Sequence, residues 1–324
     1  MTAGIDPGRI ALRLTCRGNR VAEVAVASER PVASEVLRGL AADDVPRMVP
    51  LLFALCGRAQ GRAAELAVAA ARGATATPAV DADVAREALR EHLWRWLLDL
   101  PPLLGLPPLR EDFPRVARAI AAGHYGDLLH FLADARLGEL RARLGRIADI
   151  EREEPAFLPR LDAAASLATW PRFSADFCQR PQWKGAAAET GARARQGAGV
   201  AGTTGAIAAR WLARLAELEQ GANGVASVGM PGTASAVPLA PAVGRALVET
   251  ARGLLMHEVR LDADGRVADY RIVAPTEWNF HPEGPLHGWL VGCNAGDEEQ
   301  LRSLVGRAVL ALDPCVRWEL EIAG

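Results

Sequence analysis

Apolar and polar residues alternate over two short stretches, Arg9 to Leu14 and Val21 to Ala27, with Arg17-Gly18-Asn19 between them. A period of two around a glycine-bearing turn predicts a β-hairpin over about residues 9–27. Helical patterns follow. Asp43-Asp44 can cap a helix over Val45 to Leu55, despite Pro46 and Pro50. Further helices are expected at about Ala59 to Arg72 and Asp83 to Leu98, the second carrying Trp94 and Trp96 and stopping at Pro101-Pro102. Two more are expected at Phe113 to Ala122 and His124 to Ile147. The stretch from Glu151 to Gly185 shows little periodicity and reads as irregular but packed. Thr204 to Glu219 puts Ile207, Trp211, Leu215 and Leu218 on one helical stripe. Gly221 to Pro241, rich in small residues, reads as a long loop. An antiparallel pair, about Leu254 to Leu261 and Val267 to Val273, turns at Asp262-Ala263-Asp264-Gly265. A helix from about Asp297 to Leu312 leads into the last segment, 312–324. There is no internal repeat. The expected class is α+β, mainly helical, in a single unit over 1–324.

Composition narrows the function. The 324 residues, half of them apolar, suffice for one large core or two modest ones. Net charge is −2, and Lys184 is the only lysine. The arginines are interspersed with acids, as on solvated helix faces, so a nucleic-acid surface is not expected. No apolar run approaches the ~18 residues of a membrane span. Met1 to Asp6 shows no basic cluster before an apolar segment, so a Sec-type leader is not expected and the cytoplasm is the expected location. Five cysteines, Cys16, Cys56, Cys178, Cys293 and Cys315, form no disulfide framework by number or spacing.

Two cysteines have suggestive neighbours. In Asp313-Pro314-Cys315 the aspartate suits an N-cap and the proline a first helical position. Cys315 is then expected in the first turn of a short helix, where free amides and the dipole favour thiolate. Cys56-Gly57 lies between two predicted helices, with Gly57 supplying a turn or a close backbone approach. Neither has a second cysteine three residues on, so spacing alone does not separate a metal ligand from a buried structural cysteine. Gly197 to Gly202 fits G-x-G-x-x-G, but no strand precedes it and a flexible loop is the better reading. His124 and His130 are more readily surface or core histidines than ligands. No Walker, G-x-S-x-G or H-E-x-x-H motif occurs.

Five segments in order resemble the large subunit of nickel–iron hydrogenases. Phe53-Ala54-Leu55-Cys56-Gly57, after Ser28 to Arg38, is similar to the approach to R-x-C-G-x-C-x-x-x-H. Glu189-Thr190-Gly191-Ala192-Arg193-Ala194-Arg195 resembles E-T-G-P-L-A-R. Val248-Glu249-Thr250-Ala251-Arg252-Gly253, with His257, resembles V-E-A-P-R-G-x-L-x-H. Ile272 to Asn279 resembles I-V-P-T-T-W-N, and Leu312-Asp313-Pro314-Cys315 resembles F-D-P-C-x-x-C-x-x-H. The resemblance implies a truncated large-subunit-like fold. It also implies that Cys56 and Cys315 are metal ligands, while the two bridging cysteines of the family are replaced by Ala59 and Trp318. Ala63 and Glu321 stand where the motifs have histidines, and a cleavable tail is not expected. A four-thiolate nickel–iron site is therefore not expected. Arg252, Pro275 and Thr276 match the positions that line the cyanide ligands of iron, where a guanidinium and a hydroxyl can donate to cyanide nitrogen.

That combination is similar to the HupK-type accessory family, called HoxV in some systems. The resemblance implies a cytoplasmic, non-enzymatic scaffold carrying Fe(CN)2CO transiently, with little nickel. Its implied partners are a HypC-like chaperone, a hydrogenase large-subunit precursor and other maturation proteins. Two rivals remain at this point. A diverged oxidoreductase predicts tight nickel binding. A metal-free docking protein predicts that Cys56 and Cys315 lie far apart or are buried without access.

Overall fold

The computed structural model describes residues 8–29, 33–53, 55–147, 149–151, 154–161, 170–197, 205–224 and 227–324. The first hairpin is β1 (Arg9–Arg17) and β2 (Arg20–Glu29), turning at Gly18 with φ 58°. Ile10, Leu12 and Leu14 alternate inward as the pattern requires. Next come α1 (Val45–Leu52), α2 (Gly57–Ala71), β3 (Ala76–Val80) and α3 (Ala82–Trp94). Asp44 precedes α1 without a side-chain cap bond and takes Arg47 instead, so the expected cap does not form.

A π turn over Arg95–Asp99 runs into α4 (Leu100–Leu103). Pro101 and Pro102 thus lie within a short helix, where first-turn prolines forfeit no needed donor, and do not end the preceding one. Then follow α5 (Asp112–Ala121), α6 (Gly126–Leu132) and α7 (Ala135–Leu144). The single helix expected over His124 to Ile147 splits because Asp134 leaves helical geometry and caps Arg136 N. β4 (Ala156–Phe157), α8 (Ala175–Gln179), β5 (Ala188–Glu189) and α9 (Ala192–Gln196) are short, and α10 (Ala206–Ala222) is the predicted amphipathic helix.

The largest correction concerns the expected loop over Gly221 to Pro241. It contains β6 (Thr233–Ala240), which pairs with β7 (Val243–Thr250). Thr233, Ala234, Ser235 and Ala236 are all buried, so small side chains covered on both faces leave no polar alternation to read. The predicted pair is present as β8 (Gly253–Leu261) and β9 (Val267–Val273). Last come α11 (Pro275–Asn279), α12 (Pro285–Leu290), α13 (Glu298–Leu312) and β10 (Arg317–Ala323).

Five strands form an antiparallel sheet in the order β3-β6-β7-β8-β9. A second sheet, β10-β1-β2, pairs β10 with β1 in parallel from Arg9↔Arg317 to Thr15↔Ala323, joining the two ends of the chain. The alanine face of α2 (Ala59, Ala63, Ala64, Ala67, Ala70) is fully buried over the larger sheet. A Cβ on Gly244 of β7 would come within 2.2 Å of Ala67 O, so only glycine admits this approach. Helices dominate around these sheets, and the class is α+β, mainly helical.

Candidate functional site: two cysteines and an arginine

Cys56 is the residue before α2, at the helix N-terminus, as its sequence position suggests. Two of the free amides there are already taken: Arg58 N and Ala59 N donate to the Glu87 carboxylate at 2.8 and 3.0 Å. Those two amides are therefore not available to a Cys56 thiolate. Burial pushes the Cys56 thiol up to about 12, with Cys315 and Glu91 adding to the rise and Arg252 opposing it. Gln60 Nε2 lies 3.8 Å from Cys56 Sγ. Gly57 is not in a left-handed conformation, and a Cβ there would meet Pro50 O at an ordinary 3.6 Å. Neither a turn nor a close approach requires that glycine, contrary to expectation.

Cys315 arrives differently from its predicted setting. Asp313 does not start a helix; it ends α13 in the left-handed conformation (φ 58°, ψ 66°), and the chain then bends into β10. Asp313 is buried, and burial alone would raise its pKa. Arg95, Arg252 and Arg214 outweigh that and hold it well below the usual carboxylate range. Arg95 binds Asp313 at 2.7 Å and donates to Pro314 O at 2.9 Å, fastening the bend that presents Cys315. Cys315 Sγ and Thr276 Oγ1 share a hydrogen bond of 3.0 Å. Pro275 starts α11 and Thr276 is buried in its first turn.

Arg252 sits in the turn between β7 and β8. Its Nη1 donates to Glu91, its Nε lies 3.4 Å from Asp313, and both cysteines add to the field that keeps it charged. Its Nη2 makes no hydrogen bond among the described residues. Burial raises Glu91 to about 7 against the pull of Arg252.

The motif segments meet through one side chain. Asn279 Oδ1 accepts from Thr190 N at 2.9 Å, and its Nδ2 lies 3.3 Å from both Arg252 O and Leu312 O. Thr190 Oγ1 accepts from Leu254 N. A Cβ on Gly191 would fall 2.8 Å from Arg252 O, which accounts for the glycine of that segment. The structure thus gathers Cys56, Arg252, Thr276 and Cys315 around one place, with Pro275 adjoining Thr276.

Among the described residues no three of His, Cys, Asp and Glu cluster as a metal cage. The donor set is two soft thiols, a hydroxyl and a guanidinium edge. Ala59, at a lost bridging position, is buried on the inner face of α2, with Ala63 one turn on. Trp318, at the other, is partly buried against the core beside α13, where a Cβ added to Gly306 would meet its ring at 3.7 Å, so its bulk packs β10 onto that helix. Glu321 pairs with Arg13 on the small sheet. Cys16, Cys178 and Cys293 are free. Of the G-x-G-x-x-G run, residues 198–202 lie outside the described residues.

Sequence reasoning missed the contribution of α3. Glu87, Glu91 and Arg95 recur every four residues, one helix face, and that spacing was a readable signal. It also took the arginines for solvated ones. Arg195, Arg210, Arg214, Arg245 and Arg252 are buried, and Arg195 binds Glu217 and Glu249 at 2.7 and 2.9 Å.

The nickel-dependent hydrogenase family profile matches residues 201–317. The fold is similar to the reduced, active nickel–iron–selenium hydrogenase of Desulfomicrobium baculatum (TM-score 0.61, 14% identity, 93% of this chain and 95% of that one). It is also similar to the oxidised enzyme of Desulfovibrio vulgaris Hildenborough (TM-score 0.57, 16% identity, 92% and 94%). At such identity the likeness defines the fold: that of a nickel–iron hydrogenase large subunit. In sequence the chain is 34% identical to the hydrogenase expression/formation protein HoxV of Cupriavidus necator, over 96% of this chain and 95% of that protein. It is 33% identical to the hydrogenase expression/formation protein HupK of Azotobacter vinelandii, over 97% and 98%. The chain belongs to this HoxV/HupK family of hydrogenase expression/formation proteins. No helix among the described residues is long and apolar enough to cross a membrane.

Proposed function

We propose that this protein acts in hydrogenase maturation as a cytoplasmic scaffold, holding an Fe(CN)2CO unit as cargo and passing it to a hydrogenase large-subunit precursor. The observation that carries the reading is the approach of Cys56 and Cys315, 259 positions apart in sequence, close enough for the charge of Cys315 to raise the Cys56 thiol, beside a buried arginine with a free N–H edge. Thiolates are soft donors suited to low-spin iron. Arg252 Nη2 and the Thr276 hydroxyl are donors suited to cyanide nitrogen. Two thiolates in place of four fit a cargo that must leave, and they make a poor nickel cage. A third ligand from a partner, such as a HypC-like chaperone, would complete the iron's coordination during transfer.

The Cys56 thiol is held protonated by burial, so loading displaces a proton from it; Arg252 offsets the charge left on sulfur. Exposed Leu51 and Leu55, just before Cys56, favour the second reading, a docking protein without metal. Infrared spectroscopy separates the two. Protein purified without oxygen alongside the maturation machinery should show bound CO and CN bands, with iron in excess over nickel. The bands should vanish in Cys56→Ala and in Cys315→Ala. Normal bands in both variants refute the ligand assignment, and no bands in the wild type refute the scaffold.

A further inference from the structure

A buried polar chain runs from Cys56 into the larger sheet. Cys56 Sγ lies 3.8 Å from Gln60 Nε2, Gln60 Oε1 lies 2.9 Å from His257 Nε2, and His257 Nδ1 lies 2.7 Å from the Tyr270 hydroxyl. Gln60, His257 and Tyr270 are each no more than 2% exposed. The proton positions along it can be deduced. Tyr270 has no other hydrogen-bond partner among the described residues. Were its oxygen to accept from Nδ1–H, its own proton would be buried without an acceptor, an expensive arrangement. The hydroxyl therefore donates to Nδ1. Burial pushes His257 down to about 3, so the ring is neutral and carries its one proton on Nε2. That proton must go to a Gln60 oxygen, which turns the Gln60 amide nitrogen toward Cys56.

The geometry points to Gln60 as a positioning residue that presents an N–H to the Cys56 sulfur, its orientation set by Tyr270 through His257. A thiolate accepts such a bond, and its donation to a bound metal is thereby reduced. The proton assignment stands on the metal-free protein; the effect on iron rests on the scaffold reading above. Ala59 and Gln60 are both buried on α2, so the helix supplies an amide one residue beyond the place where the resembling enzymes have a second thiolate.

The test has two arms that fail independently. In the first, full-length metal-free protein labelled with nitrogen-15 histidine is read by NMR, His257 being assigned by its loss in His257→Gln. Nε2 should carry the proton and Nδ1 should be bare; a protonated Nδ1 overturns the assignment. In the second, protein carrying the iron unit is compared with Gln60→Met and Tyr270→Phe by infrared spectroscopy. Losing the N–H leaves a stronger sulfur donor and a more electron-rich iron. The CO band should move to lower frequency in Gln60→Met, and less far in Tyr270→Phe, which removes a single oxygen and serves if the first variant fails to fold. Unshifted CO bands in the variants that fold overturn the Gln60 role. Absence of CO bands in the wild type instead overturns the scaffold reading, and the role toward iron with it, while the histidine arm still decides the proton assignment.

Discussion

Glu87 should control the presentation of Cys56 although it never touches the sulfur. Its two carboxylate oxygens receive Arg58 N at 2.8 Å and Ala59 N at 3.0 Å, amides in the first turn of α2 that have no partner within the helix. Charge-assisted bonds of this kind are each worth about 1.5–3 kcal/mol. Burial of Glu87 opposes them and raises its pKa, so the net effect of removing the side chain is smaller than the bonds alone suggest. A net loss of about 2 kcal/mol in Glu87→Ala, the upper range for a missing helix cap, is the expected result. The loss should be local, because the rest of α2 is pinned by its alanine face over the sheet. Hydrogen exchange read by mass spectrometry over a peptide spanning residues 55–64 measures it directly. An opening easier by about 2 kcal/mol exchanges roughly 30-fold faster. Glu87→Gln, which keeps one acceptor and loses the charge, should fall between. Wild-type exchange in Glu87→Ala would falsify the claim that this carboxylate holds the helix start in place.

The remaining predictions concern the frame around the site. Burial would raise Glu217, but Arg195 and His92 outweigh it and hold it down to about 2. A folded pKa below the unfolded value of 4.5 means stability that is fully present above about pH 4.5 and is lost as pH falls toward 2. The size is roughly 3 kcal/mol. The urea midpoint should therefore drop steeply between those values, and Glu217→Gln should flatten the profile while lowering it at neutral pH; an unflattened profile would assign the acid sensitivity elsewhere. Gly244→Ala places a methyl 2.2 Å from Ala67 O and Ala71 N, backbone atoms that cannot swing aside. The helix must lift from the sheet, at a cost of about 3 kcal/mol or more. A marked fall in the thermal midpoint or loss of folded protein is expected, and an unchanged midpoint would mean that α2 is not seated as described.

Local periodicity determined much of the frame by itself. The hairpin β1–β2, the pair β8–β9 and the helices α2, α3, α10 and α13 all follow from one-faced apolar patterns that neighbours can only reinforce. The two cysteines and Arg252 also stood out, because their motif neighbours were legible and in order. Other features depended on residues far away. β7 is buried along its whole length and β6 over its first half, where the side chains are small, so no alternation marked them until α2 covered the sheet. β10 became a strand by pairing with β1, more than 300 positions earlier, a partnership that no local pattern encodes. The sequence offered Asp313-Pro314 as a helix start; the tertiary structure made Asp313 a helix end, because three arginines from separate elements stabilise its charge there. The same convergence brought Glu87 and Gln60 to Cys56. Their roles come from geometry fixed by packing: a carboxylate and an amide are ordinary on a helix until a second element leaves amides without partners beside the one and a sulfur beside the other.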